Sequence, residues 1–161
     1  MVDRKLKKLC KFLSENNLKI ATSESCTGGL LSSRFTDISG SSDFVSLNFV
    51  TYANEAKEEI LNVPHDVLSS VGAVSEECAY NMAKGLRIKT NCDIAICTTG
   101  IAGPTGGSKD KPVGLIFVSV YFHNEVSVKK FVFPSFLPRK IMKFVFTQAA
   151  INFACDVVFS K

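Results

Sequence analysis

The sequence predicts a three-layer α/β/α domain with a mixed, mostly parallel sheet. Short apolar segments typical of buried strands alternate with longer segments of helical periodicity, which is the pattern of parallel sheets covered by helices. Two adjacent strand patterns meet at His123-Asn124, as in a hairpin, so at least one strand must run antiparallel. The chain has 161 residues and is 46% hydrophobic, enough for one core, so we expect a single domain over residues 1–161.

The predicted elements follow one another without a visible linker or repeat. Ser75 is the predicted cap of a helix because Glu76 and Glu77 follow it, where the helix dipole favours acidic side chains. The predicted helices cover residues 3–15, 27–36, 55–61, 64–70, 76–89 and 139–159. The predicted strands cover residues 19–22, 44–52, 93–98, 113–122 and 125–133.

Composition favours a soluble cytoplasmic protein. The net charge of +4 is mild, and the basic residues near the start lie on one face of an amphipathic helix, so we expect neither a nucleic-acid nor a membrane partner. The last helix is apolar, but Lys143, Gln148, Asn152 and Asp156 recur along it as a polar stripe. That stripe predicts a core helix with one solvated face.

The cysteines and the charged N-terminus agree with that compartment. Six cysteines lie mostly in apolar runs and form no CxxC pair, so we expect buried free thiols in a reducing compartment. The charged N-terminus indicates no secretory signal. His, Cys and carboxylates do not cluster with metal-ligand spacing, so neither a structural metal nor a cofactor is predicted.

Three loops rich in small residues follow predicted strands. They are residues 23–29, the turn after Tyr52, and residues 98–107. In open α/β sheets ligands bind beyond the carboxyl ends of strands, so these loops are the candidate binding loops. Gly28 and Gly29 open a helix and predict an anion site at its N-terminus, although such glycines can also serve only to make a tight turn.

Residues 39–57 bring a serine cluster, a phenol and an amine together. Ser42 precedes a strand that ends at Tyr52, Asn54 is a predicted helix cap, and Lys57 lies in the first helical turn. A dipole effect of ~0.3–1 kcal/mol cannot make a lysine a base at neutral pH. Lys57 is therefore either buried, with a lowered pKa, or a solvated residue paired with a neighbouring glutamate.

Six motifs in order resemble the C-terminal domain family of the competence/damage-inducible protein CinA, which includes stand-alone nicotinamide-nucleotide amidases. The resemblance covers nearly the whole chain. The motifs are SESCTGG (23–29), GSS (40–42), VTYANEAK (50–57), GAVSE (72–76), TGIAGPTGG (99–107) and KPVG (111–114).

The resemblance implies hydrolysis of the carboxamide of nicotinamide mononucleotide to nicotinate mononucleotide and ammonia. Its catalytic serine, tyrosine and lysine fall on Ser42, Tyr52 and Lys57. Ser42 would attack, Lys57 would take its proton directly or through Tyr52, and backbone N–H groups of residues 98–103 would stabilise the oxyanion. The expected substrate-binding set is Ser25, Thr27, Gly28, Gly29, Asn54, Thr98, Thr99, Gly100, Gly103 and Arg139.

The resemblance also implies a homo-oligomer without a metal requirement, and it weakens at two places. Leu137-Pro138 stands before Arg139 where the family usually has Gly-Asp, and Leu47-Asn48 stands where Arg-Gly or Gly-Gly is usual. These departures keep two alternatives open. One is an inactive nucleotide-binding or oligomerising module, and the other is an amidase for a different carboxamide.

Overall fold

The computed structural model describes residues 3–160, which form one sheet with helices on both faces. The strands are β1 (Ile20–Glu24), β2 (Val45–Val50), β3 (Ile94–Gly100), β4 (Leu115–Phe122) and β5 (Glu125–Val132). The α-helices are α1 (Arg4–Glu15), α2 (Leu30–Thr36), α3 (Asn54–Leu61), α4 (His65–Ser70), α5 (Glu76–Thr90) and α6 (Arg139–Phe159). A short 3-10 helix, Ser41–Asp43, precedes β2.

The sheet has the strand order β2-β1-β3-β4-β5. The strands β1, β2 and β3 are parallel neighbours, whereas β4 runs antiparallel to both β3 and β5. Four of the described strands therefore point in one direction, which confirms the predicted mixed sheet. The carboxyl ends of β1, β2 and β3 meet at one edge, because Glu24 pairs with Val50 on one side and with Thr98 on the other.

Two apolar cores lie on the two faces of the sheet, because successive side chains of a strand point to opposite faces. In β3, Ile94 and Ile96 join the core formed with α1, α2 and α6. Ala95 and Cys97 join the core formed with α3, α4 and α5. These cores make the three predicted layers.

The helix α3, which carries Lys57, is held close to α5 by a glycine. A Cβ atom at Gly85 would lie 1.8 Å from the carbonyl oxygen of Leu61, so no larger residue fits there. The predicted cap of α5 is confirmed, since Ser75 Oγ accepts a hydrogen bond of 3.1 Å from the N–H of Cys78. The predicted cap of α3 is wrong. The helix begins at Asn54 itself, and no side chain caps it.

The last helix, α6, has the predicted bounds and packs on the sheet beside α1 and α2. Among the described helices it alone is long and apolar enough to cross a bilayer, but 56% of its most apolar window is buried in the protein. Its partly or fully exposed residues include the predicted polar stripe, such as Lys143 and Asp156. All six cysteine thiols are free and buried.

Candidate active site

A cavity of about 270 Å³ opens where the loops after β1, β2 and β3 meet the start of α6. Its wall includes Ser25, Cys26, Tyr52, Gly100, Gly103 and Arg139, and none of the residues 3–160 that line it is acidic. A larger cavity of about 630 Å³ lies between α1 and the turn that precedes β2. The smaller cavity is the better candidate because Ser25, which lines it, is in contact with a buried amine.

That amine belongs to Lys57, whose side chain is only 1% exposed. Its Nζ atom donates hydrogen bonds to the carbonyl oxygens of Thr51 (2.8 Å) and Tyr52 (3.1 Å) and lies 3.2 Å from Ser25 Oγ. Burial lowers the pKa of the amine below its ordinary value of 10.5. Lys57 is therefore buried and has a lowered pKa, which the sequence argument required if this lysine is to act as a base.

Three oxygens surround the amine of Lys57, and they can serve both of its protonation states. A protonated amine has three N–H groups and can donate to both carbonyl oxygens and to Ser25 Oγ. A neutral amine has two N–H groups for the carbonyls, which leaves its lone pair for the hydroxyl proton of Ser25. Serine with lysine as its base is a known way to activate a nucleophile.

Backbone hydrogen bonds that extend the sheet hold Ser25 and Lys57 in place. The N–H of Ser25 donates to the carbonyl of Thr98 (3.0 Å), so the chain stays beside β3 for one residue past the end of β1. On the other side, the N–H of Thr51 donates to the carbonyl of Glu24 (2.9 Å). The serine and the start of α3 are thereby fixed on either side of β1.

The carboxylate of Glu24, which is completely buried, occupies the N-terminus of α2. It accepts hydrogen bonds from the N–H groups of Gly29, Leu31 and Ser32 at 2.8–3.1 Å, and from the hydroxyls of Thr27 and Ser32 at 2.6 and 2.7 Å. The anion site predicted there at Gly28 and Gly29 is therefore already filled by the chain itself. The N–H of Gly28 is also used, by the carbonyl of Ser25 (3.2 Å).

Three threonines that were expected to bind substrate, Thr27, Thr98 and Thr99, use their hydroxyls in hydrogen bonds within the protein. Because Thr27 donates to Glu24, the 2.8 Å contact between the hydroxyls of Thr27 and Thr98 is donated by Thr98. The hydroxyl of Thr99 donates to the carbonyl of Ala73 (2.7 Å). All three side chains are at most 1% exposed, so they shape the loops and do not face the cavity.

Arg139 closes one side of the cavity. Its guanidinium donates to the carbonyl of Gly103 (2.6 Å) and to the hydroxyl of Tyr52 (3.2 Å). Both acceptors are neutral, so the positive charge at the cavity mouth is not balanced by a carboxylate. A second cation, Lys143, lies against Gly28, where a Cβ atom would be 3.2 Å from its Nζ. The cavity mouth is suited to an anionic group.

The structure does not bring Ser42 to Lys57. Ser42 is exposed in the 3-10 helix before β2, whereas Lys57 follows the carboxyl end of β2. A strand of six residues spans ~20 Å, so the two side chains lie beyond opposite ends of β2. The predicted Ser42–Lys57 pair is therefore wrong within one chain. Asn54 is exposed at the start of α3 and does not line the cavity.

Sequence reasoning placed Ser25 among the binding residues and missed Glu24 entirely. The signal for Ser25 was its place directly after the carboxyl end of a buried strand. The sequence carried no comparable signal for Glu24, which lies among small polar residues in the predicted loop 23–29 and is revealed as buried only by the structure.

A sequence model of the CinA C-terminal domain matches residues 3–158 of the chain. The chain belongs to the CinA C-terminal domain family. A CinA-like protein of Chlorobium chlorochromatii is 53% identical over 110 residues, and one of Chloroherpeton thalassium is 44% identical over 150 residues. These matches cover 68% and 92% of this chain, and 26% and 36% of the two relatives. The chain thus spans about a third of the curated relatives it matches.

Solved structures of the CinA superfamily share the fold along almost their whole length. The competence/damage inducible protein CihA of Agrobacterium tumefaciens has a TM-score of 0.90 at 34% identity, with 94% of this chain and 92% of that chain covered. A superfamily protein of Enterobacter cloacae has a TM-score of 0.91 at 27% identity, with 98% and 92% covered. These names specify a family and a fold, and they do not specify a reaction.

Proposed function

We propose that this domain hydrolyses the carboxamide of nicotinamide mononucleotide to nicotinate mononucleotide and ammonia, with Ser25 as nucleophile and Lys57 as general base. The observation that carries the proposal is the buried Lys57 amine, which lies 3.2 Å from Oγ of Ser25, a residue of the cavity wall. The choice of substrate rests on the family resemblance and on the cationic cavity mouth.

In the acylation step, Ser25 Oγ attacks the carboxamide carbon and its proton moves to the Nζ of Lys57. The tetrahedral intermediate then collapses, the C–N bond breaks, and Lys57 returns the proton to the leaving nitrogen, which departs as ammonia. A water molecule attacks the resulting ester by the same route, which releases the carboxylate and restores Ser25. A base of this kind contributes about 10²–10⁴ in rate.

The oxyanion needs backbone donors that the fold has not already used. Residues 98–100 belong to β3, and the N–H of Ile101 donates to the carbonyl of Leu115 (2.8 Å). Ala102 and Gly103 follow in the same loop and line the cavity. We therefore assign the oxyanion to the N–H groups of Ala102 and Gly103, a narrower choice than the predicted 98–103 loop.

In this proposal Tyr52 helps to position Arg139, which binds the substrate, and does not relay a proton. Its backbone carbonyl accepts from Lys57, while its hydroxyl points to Arg139. Arg139 is then free to turn its remaining donors to the 5′-phosphate, since a guanidinium binds phosphate with several N–H groups. The Leu137-Pro138 turn does not disturb this role. Pro138 directly precedes the first residue of α6, and Arg139 lies in the cavity wall.

The test is ammonia release from nicotinamide mononucleotide by the wild-type chain and by Ser25→Ala, with Ser42→Ala as the matched control. We expect Ser25→Ala to lose at least ~10³ in kcat and Ser42→Ala to keep wild-type turnover. Full activity of a folded Ser25→Ala variant contradicts the assignment of the nucleophile. Binding of the mononucleotide without ammonia release would favour an inactive binding module, and release of ammonia from other carboxamides only would favour a different amidase.

A further inference from the structure

The hydroxyl of Thr27, two residues after the proposed nucleophile, lies at the centre of a buried chain of hydrogen bonds. It donates to the carboxylate of Glu24 (2.6 Å) and accepts from the hydroxyl of Thr98 (2.8 Å). Both oxygens of that carboxylate also accept from backbone N–H groups of α2, so the chain runs in one direction, from Thr98 to Thr27 to Glu24. The side chain of Thr27 is completely buried and does not line the cavity, so it does not contact a bound substrate.

The bond between Thr27 and Glu24 closes a small ring around Ser25. The ring consists of residues 24–27, and the side chains of its first and last residues join its two ends. A second bond, from the N–H of Gly28 to the carbonyl of Ser25 (3.2 Å), folds the same residues into a turn. The backbone of Ser25 is therefore held by the neighbouring carboxylate as well as by the strand that precedes it.

The bond between Thr27 and Thr98 joins this ring to the neighbouring strand. Thr98 belongs to β3, and the chain continues from β3 to Ala102 and Gly103, whose N–H groups are the proposed oxyanion donors. The hydroxyl bridge thus connects the segment that carries the nucleophile to the segment that carries the oxyanion donors. A hydrogen bond to a charged group is stronger than a neutral one, and it makes the oxygen of Thr27 a better acceptor for Thr98.

We infer that Thr27 is a positioning residue for the proposed amide hydrolysis, and that it holds Ser25 Oγ in register with the oxyanion donors. The inference rests on the proposed function, because it takes Ser25 as the nucleophile and the loop after β3 as the oxyanion site. Catalysis requires the reacting atoms to lie about 3–3.5 Å apart in the correct orientation, and a misplacement of about 1 Å can cost ~10²-fold in rate. The base is outside the ring, since the carbonyls that hold Lys57 follow β2.

The test compares Thr27→Val, which keeps the shape of the side chain without its hydroxyl, with Thr27→Ser, which keeps the hydroxyl. Ammonia release from nicotinamide mononucleotide gives kcat and KM at several pH values. We expect Thr27→Val to lower kcat about 10- to 100-fold with KM within about threefold of wild type, because the contacts with substrate are unchanged. Thr27→Ser should return kcat to within about threefold of wild type. The midpoint of the pH profile should be the same in all three proteins, since the contacts of Lys57 are intact.

A second readout needs no nicotinamide substrate. An alkyl fluorophosphonate labels an activated serine: the bond from Ser25 Oγ to phosphorus forms, the P–F bond breaks, fluoride leaves, and the hydroxyl proton passes to Lys57. Mass spectrometry of the labelled protein gives the rate constant, and the amount labelled at completion counts the active sites used to calculate kcat. A loss of folded protein lowers that amount and not the rate constant. We expect Thr27→Val to lower the rate constant about tenfold or more.

Thr90→Val is the matched control. The hydroxyl of Thr90 also donates and accepts, since it donates to the carbonyl of Leu86 (2.8 Å) and accepts from the N–H of Cys92 (3.3 Å). It lies just before the amino end of β3, whereas the cavity lies at the carboxyl end. Thr90→Val should keep the wild-type rate constants in both assays.

The outcomes separate this inference from the proposed reaction. Wild-type labelling and kcat in Thr27→Val overturn the inference, and so does a Thr27→Ser variant that is as slow as Thr27→Val. If the wild-type chain releases no ammonia, but labelling of Ser25 is slowed by Thr27→Val and restored by Thr27→Ser, the positioning role stands and the amidase reaction fails. A wild-type chain in which Ser25 is not labelled overturns both.

Discussion

The lowered pKa of Lys57 predicts a pH dependence of stability that needs no substrate to measure. In the unfolded chain this lysine titrates near 10.5, whereas burial lowers the pKa of the folded amine. Between the two pKa values the unfolded state binds one more proton than the folded state. The free energy of unfolding must therefore rise with pH across that window, by up to ~1.4 kcal/mol per pH unit.

The perturbation is Lys57→Met, which removes the titrating group but keeps an unbranched side chain of similar length. The carbonyls of Thr51 and Tyr52 lose their donor, at a cost of ~1–3 kcal/mol for each unsatisfied group. That cost is the same at every pH. At low pH the wild-type chain must also bury a protonated amine, and the Lys57→Met substitution removes this unfavourable burial. The wild-type chain should thus gain stability over the variant as the pH rises from the lowered pKa towards 10.5.

The assay is urea unfolding of both proteins at several values between about pH 6 and pH 10, followed by circular dichroism. Other titrating groups are common to both proteins and largely cancel in the difference. Lys11→Met, at an exposed position of α1, is the control and should track the wild type at every pH. If the wild type and Lys57→Met stay parallel over the whole range, Lys57 has an ordinary pKa and the argument for it as a base fails.

Two further variants test the rest of the site. Arg139→Ala should raise KM for nicotinamide mononucleotide about ten- to hundredfold with a smaller effect on kcat, because the 5′-phosphate loses its guanidinium partner. Steady-state ammonia release checks this, with Lys140→Ala as the control on the same helix, and equal losses for a substrate without the phosphate would contradict it. Glu24→Gln should lower the free energy of unfolding by ~3–5 kcal/mol, because an amide nitrogen would face N–H donors of α2 in the protein interior. Urea unfolding checks this against Glu55→Gln, an exposed position where a change above ~0.5 kcal/mol is not expected.

Much of the fold could be predicted because its signals are local. The alternation of β3 between two cores and the apolar periodicity of α6 are properties of consecutive residues, and the cap at Ser75 depends on its own first turn. The start of α3 was missed for a tertiary reason. The chain there is fixed by the bonds of Lys57 and Thr51, and Asn54 makes no capping bond.

The N-terminus of α2 shows a limit of local patterns more clearly. Two glycines before a helix predict an anion site, and the structure does place an anion there. The anion is the carboxylate of Glu24, five residues before Gly29, held by backbone and hydroxyl donors. Sequence alone does not say whether such a site is filled by a ligand or by the chain, because that depends on how sharply the chain turns after β1.

The predicted topology was sufficient to prefer Ser25 to Ser42 as the serine next to Lys57. A predicted strand separates Ser42 from Tyr52 and Lys57, so Ser42 must lie at the amino end of that strand and Lys57 beyond its carboxyl end. Parallel neighbours bring their carboxyl ends together, and Ser25 follows the carboxyl end of the adjacent strand. Direction along the sheet therefore selects Ser25 as the partner of Lys57, whereas proximity in sequence selects Ser42. For side chains that must meet at the edge of a parallel sheet, the end of the strand is a stronger criterion than the number of residues between them.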